Sequence, residues 1–303
     1  MQEPLPVALT HEPVLLEECL VALAPQDGGL YLDATVGFGG HSRAILEAAQ
    51  TQIVALDQDP VALAASAQNL AEFAGRVKFV PVNFADFNPE EVLAADFGGF
   101  QGVLADLGVS SLQIDSPERG FSWRFEGPLD MRMGRGETTA ADLVNTAPEA
   151  ELARIFHEYG EERYSRRIAR ALVEQRRKAP FTTTTQLAEA VAQLIGHRQA
   201  IHPATRVFQA LRIAVNDELG ALTRFLERAP DWLATGGVLA VISFHSLEDR
   251  LVKWALRRNP ELEILTRKPL LPTEAEQRRN PRSRSAKLRY ARKPLRNDHD
   301  HAS

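Results

Sequence analysis

The chain has 303 residues, of which 44% are hydrophobic and 25% charged, and this composition excludes a largely disordered or collagen-like protein. It has no apolar run near the roughly 20 residues of a membrane span, no secretion signal at its start and only one cysteine, Cys19, so we expect a soluble, cytoplasmic protein. The net charge of −5 is the sum of an acidic first half and a basic region over residues 250–296, which contains 15 basic and 4 acidic residues. Such a region predicts either a polyanionic partner, with nucleic acid the first candidate, or a tail that only aids solubility.

Helices and strands alternate over the first hundred residues. Apolar spacing and turn residues predict helices over 13–23, 41–49 and 60–73, and strands over 31–36, 53–56, 77–82 and 102–107. Asp59 is placed to cap the third helix, whose first turn holds Pro60. Strands separated by such helices are typical of parallel pairing, so we expect a doubly wound α/β sheet.

The alternation stops between residues 113 and 212. Helices are predicted there over 150–159, 164–178 and 185–195, and no strand. Afterwards the pattern predicts one long helix over 203–226, an apolar strand over 237–244, and a closing hairpin of segments 262–265 and 287–291. The predicted domains are a sheet domain in two parts (1–112, and 213–296 with the basic region), a helical insertion for substrate recognition (113–212) and a disordered tail (297–303).

A glycine-rich loop follows the first predicted strand and opens a helix. Three glycines within residues 37–40 allow close backbone approach, and free amides at a helix start attract anions. Asp57 ends the next strand, where an acid commonly binds ribose hydroxyls. Ser42 occupies the third glycine position of a dinucleotide fingerprint, which disfavours NAD. With an acid, Asp33, before the loop, S-adenosyl-L-methionine is the better candidate.

Short motifs follow one another over nearly the whole chain. They are HEPVL (11–15), DATVGFGGHS (33–42), DLGVSS (106–111), RGFS (119–122), GPLDMRM (127–133), YGEER (159–163), HPATR (202–206), ISFHSLEDR (242–250) and NPRSRS (280–285). In this order they resemble the RsmH (MraW) family, bacterial enzymes that methylate N4 of a decoding-centre cytidine in 16S ribosomal RNA. The resemblance implies a Rossmann-like class I S-adenosylmethionine-dependent methyltransferase sheet with an inserted all-helical domain.

The resemblance also implies which residues bind the cofactor. They are Gly39, Gly40, His41, Asp57, Phe84, Asp106 and Gln113. Phe84 follows the third strand, where it offers an apolar wall to adenine, and Asp106 ends the fourth strand at the ligand-binding edge of such sheets. Without the resemblance, Phe84 would fit a core position and His41 the first turn of its helix.

The chemistry requires help from the protein, because the lone pair of the cytosine amine is delocalised into the ring. A site must orient this amine and accept its proton. The Asp/Asn/Ser-Pro-Pro-aromatic loop of many DNA amino-methyltransferases is absent after Asp106. We therefore expect Phe244 to stack on the target base and His245 or Ser246 to hydrogen-bond its edge, with His245 the candidate catalytic residue. The alternative is that His245 only caps the following helix.

The basic region supplies candidates for RNA contacts. Arg282 and Arg284 are the proposed phosphate ligands, and further cations of the same track are Arg279, Lys287, Arg289 and those within residues 163–178. The scattered histidines predict no metal site.

We expect 16S rRNA, within the small ribosomal subunit, as the partner, and no membrane. The alternatives are a methyltransferase for another nucleic acid, a small molecule or a protein, and a non-catalytic S-adenosylmethionine-binding protein. The identity of the proton acceptor and the oligomeric state stay open at this point.

Overall fold

The computed structural model describes residues 12–94, 96–134, 136–196 and 202–295. The chain divides into two compact units, a sheet unit (Met1–Gly108 and Leu222–Ser303) and a helical unit (Val109–Ala221). The predicted insertion, 113–212, falls within the helical unit, and its role in substrate recognition stays a prediction. The tail predicted to be disordered, 297–303, lies outside the described residues.

The described residues form seven strands and thirteen α-helices. The strands are β1 (Leu30–Asp33), β2 (Gln52–Asp57), β3 (Val77–Pro81), β4 (Phe100–Asp106), β5 (Leu233–Ser243), β6 (Glu263–Ile264) and β7 (Lys287–Arg292). The helices are α1 (Leu16–Leu23), α2 (Gly40–Ala48), α3 (Pro60–Asn69), α4 (Pro89–Val92), α5 (Ser111–Asp115), α6 (Ala140–Thr146), α7 (Glu149–Glu158), α8 (Ser165–Arg176), α9 (Thr184–Ile195), α10 (Ala204–Asn216), α11 (Glu218–Arg228), α12 (Ser246–Arg258) and α13 (Glu274–Arg279). None of these helices combines the length and hydropathy that crossing a membrane requires.

The strands of the sheet unit form one mixed sheet in the order β3-β2-β1-β4-β5-β7-β6. Strands β1 to β5 pair in parallel, whereas β7 is antiparallel to both β5 and β6. A parallel sheet of β1 to β5 completed by the antiparallel β7 is the predicted Rossmann-like sheet, so the predicted fold class is confirmed. The predicted pairing of segments 262–265 and 287–291 is also confirmed.

The central strands are buried on both faces, as parallel strands are when helices cover them. Successive side chains alternate between two apolar clusters: Leu32 and Val54 belong to one, and Tyr31, Ile53 and Leu104 to the other. Because each strand packs against an apolar cluster on both faces, nearly every position is apolar, and the sequences of these strands are almost continuously hydrophobic. The chain reverses its winding between β1 and β4, and ligands of such sheets bind at this point.

Two predictions about helix ends have different outcomes. Asp59 caps α3 as predicted, since its Oδ1 accepts a hydrogen bond from the Val61 amide at 3.0 Å. The predicted single helix over 203–226 is wrong, because Asp217 has a left-handed backbone (φ 47°) and ends α10 before α11 begins. Aspartate tolerates this conformation better than most residues, and Arg212 binds Glu218 across the break at 2.8 Å.

The helical unit has its own apolar core. Its buried side chains include Leu152, Ile168, Val191 and Val207, one from each of four helices. In the described part of residues 113–212 there is no strand, and only an isolated bridge joins Pro128 to Thr183. The predicted all-helical character of the insertion is therefore confirmed.

Candidate active site

Three aspartates end neighbouring parallel strands of the sheet unit: Asp33 on β1, Asp57 on β2 and Asp106 on β4. Burial raises the pKa of Asp57 and that of Asp106 to about 6, and it also raises the pKa of Asp33. Desolvation disfavours the ionised carboxylates, whereas an opposite charge nearby favours them. A cation that binds at this edge would therefore interact favourably with all three groups. The arrangement suits a ligand that carries positive charge.

Backbone amides fix the carboxylate of Asp57. Its Oδ2 accepts from the Gly37 amide at 3.1 Å and its Oδ1 from the Asp59 amide at 2.9 Å. Each carboxylate oxygen retains a second lone pair, and the space beside the Gly37 Cα is open, because a Cβ added there would have no neighbouring atom nearer than 3.9 Å. Two adjacent hydroxyl groups could therefore bind Asp57 without displacing either amide.

The other two loop glycines are required by packing. Gly39 has a left-handed backbone (φ 82°), and a Cβ there would lie 2.9 Å from the Leu70 side chain. A Cβ on Gly40 would lie 2.5 Å from Pro13. These close contacts explain why packing requires glycine at both positions. Contact of Gly39 and Gly40 with the cofactor stays a prediction.

Hydroxyl groups of the motif 33–42 organise the acids, and the sequence interpretation had missed this role. The buried Ser42 Oγ donates to Asp33 Oδ2 at 2.6 Å. Thr35 Oγ1 accepts from the Asp106 amide at 2.7 Å and thereby links the ends of β1 and β4. The position of Ser42, where a dinucleotide fingerprint has glycine, was the available signal.

His41 and Asp106 meet in the interior of this edge. His41 Nε2 donates to the Val14 carbonyl at 3.0 Å, because a carbonyl oxygen can only accept. The other ring nitrogen, Nδ1, lies 3.9 Å from Asp106 Oδ2. Asp106 Oδ1 is buried and has no hydrogen-bond partner among the described residues. A buried acceptor without a partner is costly, so it marks a place for a donor or cation supplied by a ligand.

The remaining two predicted cofactor residues lie in different units. Phe84, in the sheet unit, packs edge-on against Phe225 with 5.2 Å between ring centroids, and it is only partly buried at the margin of the core. Gln113, in the helical unit, is buried and its Oε1 accepts from the Ser110 amide at 3.1 Å. Contact of either residue with a cofactor stays a prediction.

The ends of β4 and β5 place Phe244 next to the segment that follows Asp106. The Leu107 amide donates to the Ile242 carbonyl at 3.0 Å. The Phe244 ring lies directly over Gly108, where an added Cβ would be 2.9 Å from its Cε2. Only glycine at position 108 leaves room for the ring in this position.

His245 caps α12, as the alternative interpretation of the sequence stated. Its Nδ1 accepts from the Glu248 amide at 3.4 Å, while Glu248 Oε2 accepts from the Phe244 amide at 2.8 Å. His245 Nε2 lies 3.1 Å from Glu248 Oε1. The cap fixes the orientation of the imidazole, and contact of His245 with a substrate stays a prediction. Ser246 is exposed in the first turn of α12.

Cations of the basic region differ in how far they are neutralised. Arg279 binds Glu12 at 2.7 Å, and Arg289 and Lys287 bind Asp249 at 2.7 and 3.4 Å. The two predicted phosphate ligands follow one another in a short 3-10 helix, Pro281–Ser285. Arg282 is half-buried, whereas Arg284 is exposed and has no ion pair within the described part of the chain.

Comparison with known proteins gives one family and many relatives. The family described as the MraW methylase family matches residues 8–294. Ribosomal RNA small subunit methyltransferase H of Gloeobacter violaceus is 62% identical over 285 residues, which cover 93% of this chain and 88% of that protein. The proteins of the same name from Trichormus variabilis and Synechococcus elongatus are 58% and 55% identical, and the matches cover 94% and 96% of this chain and 92% and 97% of the relatives.

Proposed function

We propose, from the premise that this chain belongs to the MraW methylase family, that it methylates the exocyclic N4 amine of a cytidine in the decoding centre of 16S rRNA. Family membership makes the chain a methyltransferase that uses S-adenosylmethionine. The substrate class is supported by the names of relatives that share more than half of its residues and match it over nearly its whole length. The N4 position and the decoding centre rest on the motif resemblance.

The groups at the sheet edge fit S-adenosylmethionine, and the unmatched Oδ1 of Asp106 is the observation that carries this assignment. The ribose diol of the ligand would bind the Asp57 carboxylate, whose two oxygens are held by backbone amides. Its adenine ring would pack against Phe84. Its methionine part carries two positive centres, which suit the desolvated Asp106. We place Gly39, Gly40 and His41 along the methionine part and Gln113 as a further contact. When bound, the cofactor supplies a methyl group activated by a sulfonium.

The protein's part in the reaction is to hold the base and to receive a proton. We place the target cytosine against Phe244, whose ring is held over Gly108 at the edge that also carries Asp106. An aromatic ring of fixed orientation can stack on an extruded or unpaired base. Ser246, exposed at the start of α12, is a second proposed contact for the base edge.

His245 is the proposed proton acceptor, with Glu248 as its charge partner. With the Nε2 proton directed at Glu248 Oε1, 3.1 Å away, the atom that takes the amine proton is Nδ1, which gives up its long, 3.4 Å bond from the Glu248 amide in that step. A carboxylate at this distance stabilises the imidazolium that forms when the ring takes the amine proton. For the RNA backbone we propose Arg282 and Arg284, of which Arg284 is exposed and not neutralised in the described chain.

Labelled S-adenosylmethionine tests the substrate class. The enzyme is incubated separately with naked 16S rRNA, with small ribosomal subunits, with a protein extract and with free cytidine. We expect label in the RNA of the first or second mixture only. Label confined to protein or to free cytidine would favour the other methyltransferases, and tight cofactor binding with no transfer at all would favour a binding protein.

A further inference from the structure

The outer face of α12 carries cations and a single aromatic ring. Its exposed side chains are Ser246, Arg250, Trp254, Arg257 and Arg258, while Leu247, Val252 and Leu256 point into the core. Positions 250, 254 and 258 follow one another at four-residue spacing, so they lie in a row of about 12 Å along the helix. No acidic residue of α12 is exposed.

Trp254 is the centre of this row. It is 43% exposed, which is unusual for so large an apolar side chain. The Lys253 ammonium and the Arg258 guanidinium each lie 5.2 Å from the centroid of its ring. Cation–π contacts of this kind favour a fixed orientation of the ring. The helix therefore presents an exposed aromatic ring with two cations close to it.

The cations of this face have no acidic partner among the described residues. No carboxylate there forms an ion pair with Arg250, Lys253, Arg257 or Arg258. The two acids of α12 are engaged elsewhere: Glu248 accepts from backbone amides and Asp249 binds Arg289 and Lys287. Arg257 reaches the Arg267 carbonyl at 3.4 Å, which brings a further cationic residue to the end of the row.

We propose that this α12 basic face (Arg250, Lys253, Trp254, Arg257 and Arg258) is a docking surface for unpaired RNA, with a base stacked on Trp254 and phosphates bound by the surrounding cations. The proposal rests on the proposed function, because the same helix begins beside His245. Trp254 lies two turns, about 12 Å, from that end, so the face would hold nucleotides that flank the target cytidine. Uncompensated cations around an exposed aromatic ring match a single-stranded polyanion with stacking bases.

Fluorescence anisotropy with a labelled 20-nucleotide unstructured RNA tests the surface. We expect Trp254→Ala to weaken binding by about tenfold to a hundredfold, the range for loss of one stacked base, and Trp254→Phe to retain most of the affinity. The double variant Arg250→Gln/Arg258→Gln should reduce the slope of log affinity against log salt by about 1.4, or about 0.7 per lost phosphate contact.

Matched controls separate this surface from general effects. Leu271→Ala removes an apolar side chain that is 59% exposed outside α12, and Arg278→Gln/Arg292→Gln removes two cations that are already paired with Glu274 and Glu263. Both controls should bind the RNA as the wild type does. Wild-type affinity and salt slope in the α12 variants would overturn the proposal, as would competition by polyglutamate that is as strong as competition by unlabelled RNA, since the face would then be a site for acidic protein.

Kinetics distinguish the failure of this inference from the failure of the proposed function. If wild-type enzyme methylates small-subunit rRNA, the α12 variants should raise KM for the RNA by the same factor as their loss of affinity, with kcat retained. An unchanged KM would contradict the docking surface alone. If the wild type transfers no methyl group to rRNA, the proposed function fails, and the anisotropy result still decides whether α12 binds RNA.

Discussion

Nδ1 of His41 lies 3.9 Å from Oδ2 of Asp106, and the opposite ring nitrogen of His41 donates to the Val14 carbonyl. Burial disfavours the ionised form of Asp106, whereas the nearby His41 acts on the pKa of Asp106 in the opposite direction. The raised pKa of Asp106, about 6, has burial as its main cause. The ionised carboxylate of Asp106 is therefore in an unfavourable environment, which a cationic ligand at this edge of the sheet would improve.

We predict that Asp106→Asn stabilises the ligand-free protein above pH 6. The pKa of Asp106 is raised from 3.8 to about 6 in the folded state, so between these two values the folded state binds more protons than the unfolded state. The stability of the wild-type protein therefore falls as pH rises from 3.8 to about 6, and the loss is complete above that range. Removing the ionisable group should gain about 2–3 kcal/mol at pH 8 and much less at pH 4. Urea unfolding across this range measures the difference. A variant less stable than wild type at pH 8 would contradict the electrostatic account, and cofactor affinity should fall at least about tenfold.

Asp57→Ala should weaken S-adenosylmethionine by about tenfold to a hundredfold. The carboxylate can accept two hydrogen bonds from ribose hydroxyls, and bonds to a charged group contribute about 1.5–3 kcal/mol. The matched control is Asp59→Asn, which keeps an N-cap for α3 and leaves the Asp57 carboxylate in place. Calorimetry measures both affinities. Equal affinities for wild type and Asp57→Ala would remove Asp57 from the site.

The sequence was sufficient to predict the strands, their order of alternation and the acids at their ends. Buried parallel strands have apolar runs that stand out, and Asp57 and Asp106 follow such runs directly. The break at Asp217 was not predictable from periodicity, because α10 and α11 have apolar residues on compatible spacings and the left-handed turn depends on local contacts. The Ser42–Asp33 bond and the closeness of Gly108 to Phe244 are tertiary contacts, for which spacing gives no direct evidence.

Substitutions of His245 separate its capping role from its proposed chemistry. His245→Ala removes the cap and should cost about 1 kcal/mol of stability, whereas His245→Asn retains a good N-cap. If the imidazole accepts the proton, both variants should lose about 10²-fold or more in single-turnover methylation, with normal cofactor affinity. Recovery of both stability and rate in His245→Asn would show that the cap alone matters, and Asp106 would become the next candidate acceptor.

Gly108 and Phe244 should behave as one unit. Phe244→Ala should weaken RNA engagement by about 1–3 kcal/mol if the ring stacks on the target base. Gly108→Ala should have a similar effect, because the new Cβ would occupy the position of the ring. In the double variant the two effects should not add, since the clash disappears with the ring. Additive losses measured by anisotropy would show that Gly108 acts independently of Phe244.

Nucleoside mass spectrometry of methylated small-subunit RNA tests the central claim most directly. Small subunits that lack the modification are incubated with the enzyme and S-adenosylmethionine bearing a trideuterated methyl group, and the 16S rRNA is digested to nucleosides. The account predicts trideuterated N4-methylcytidine from wild-type enzyme and strongly reduced amounts from His245→Asn. Deuterium in 5-methylcytidine, or in a methylated adenosine, guanosine or uridine, would contradict the proposed function.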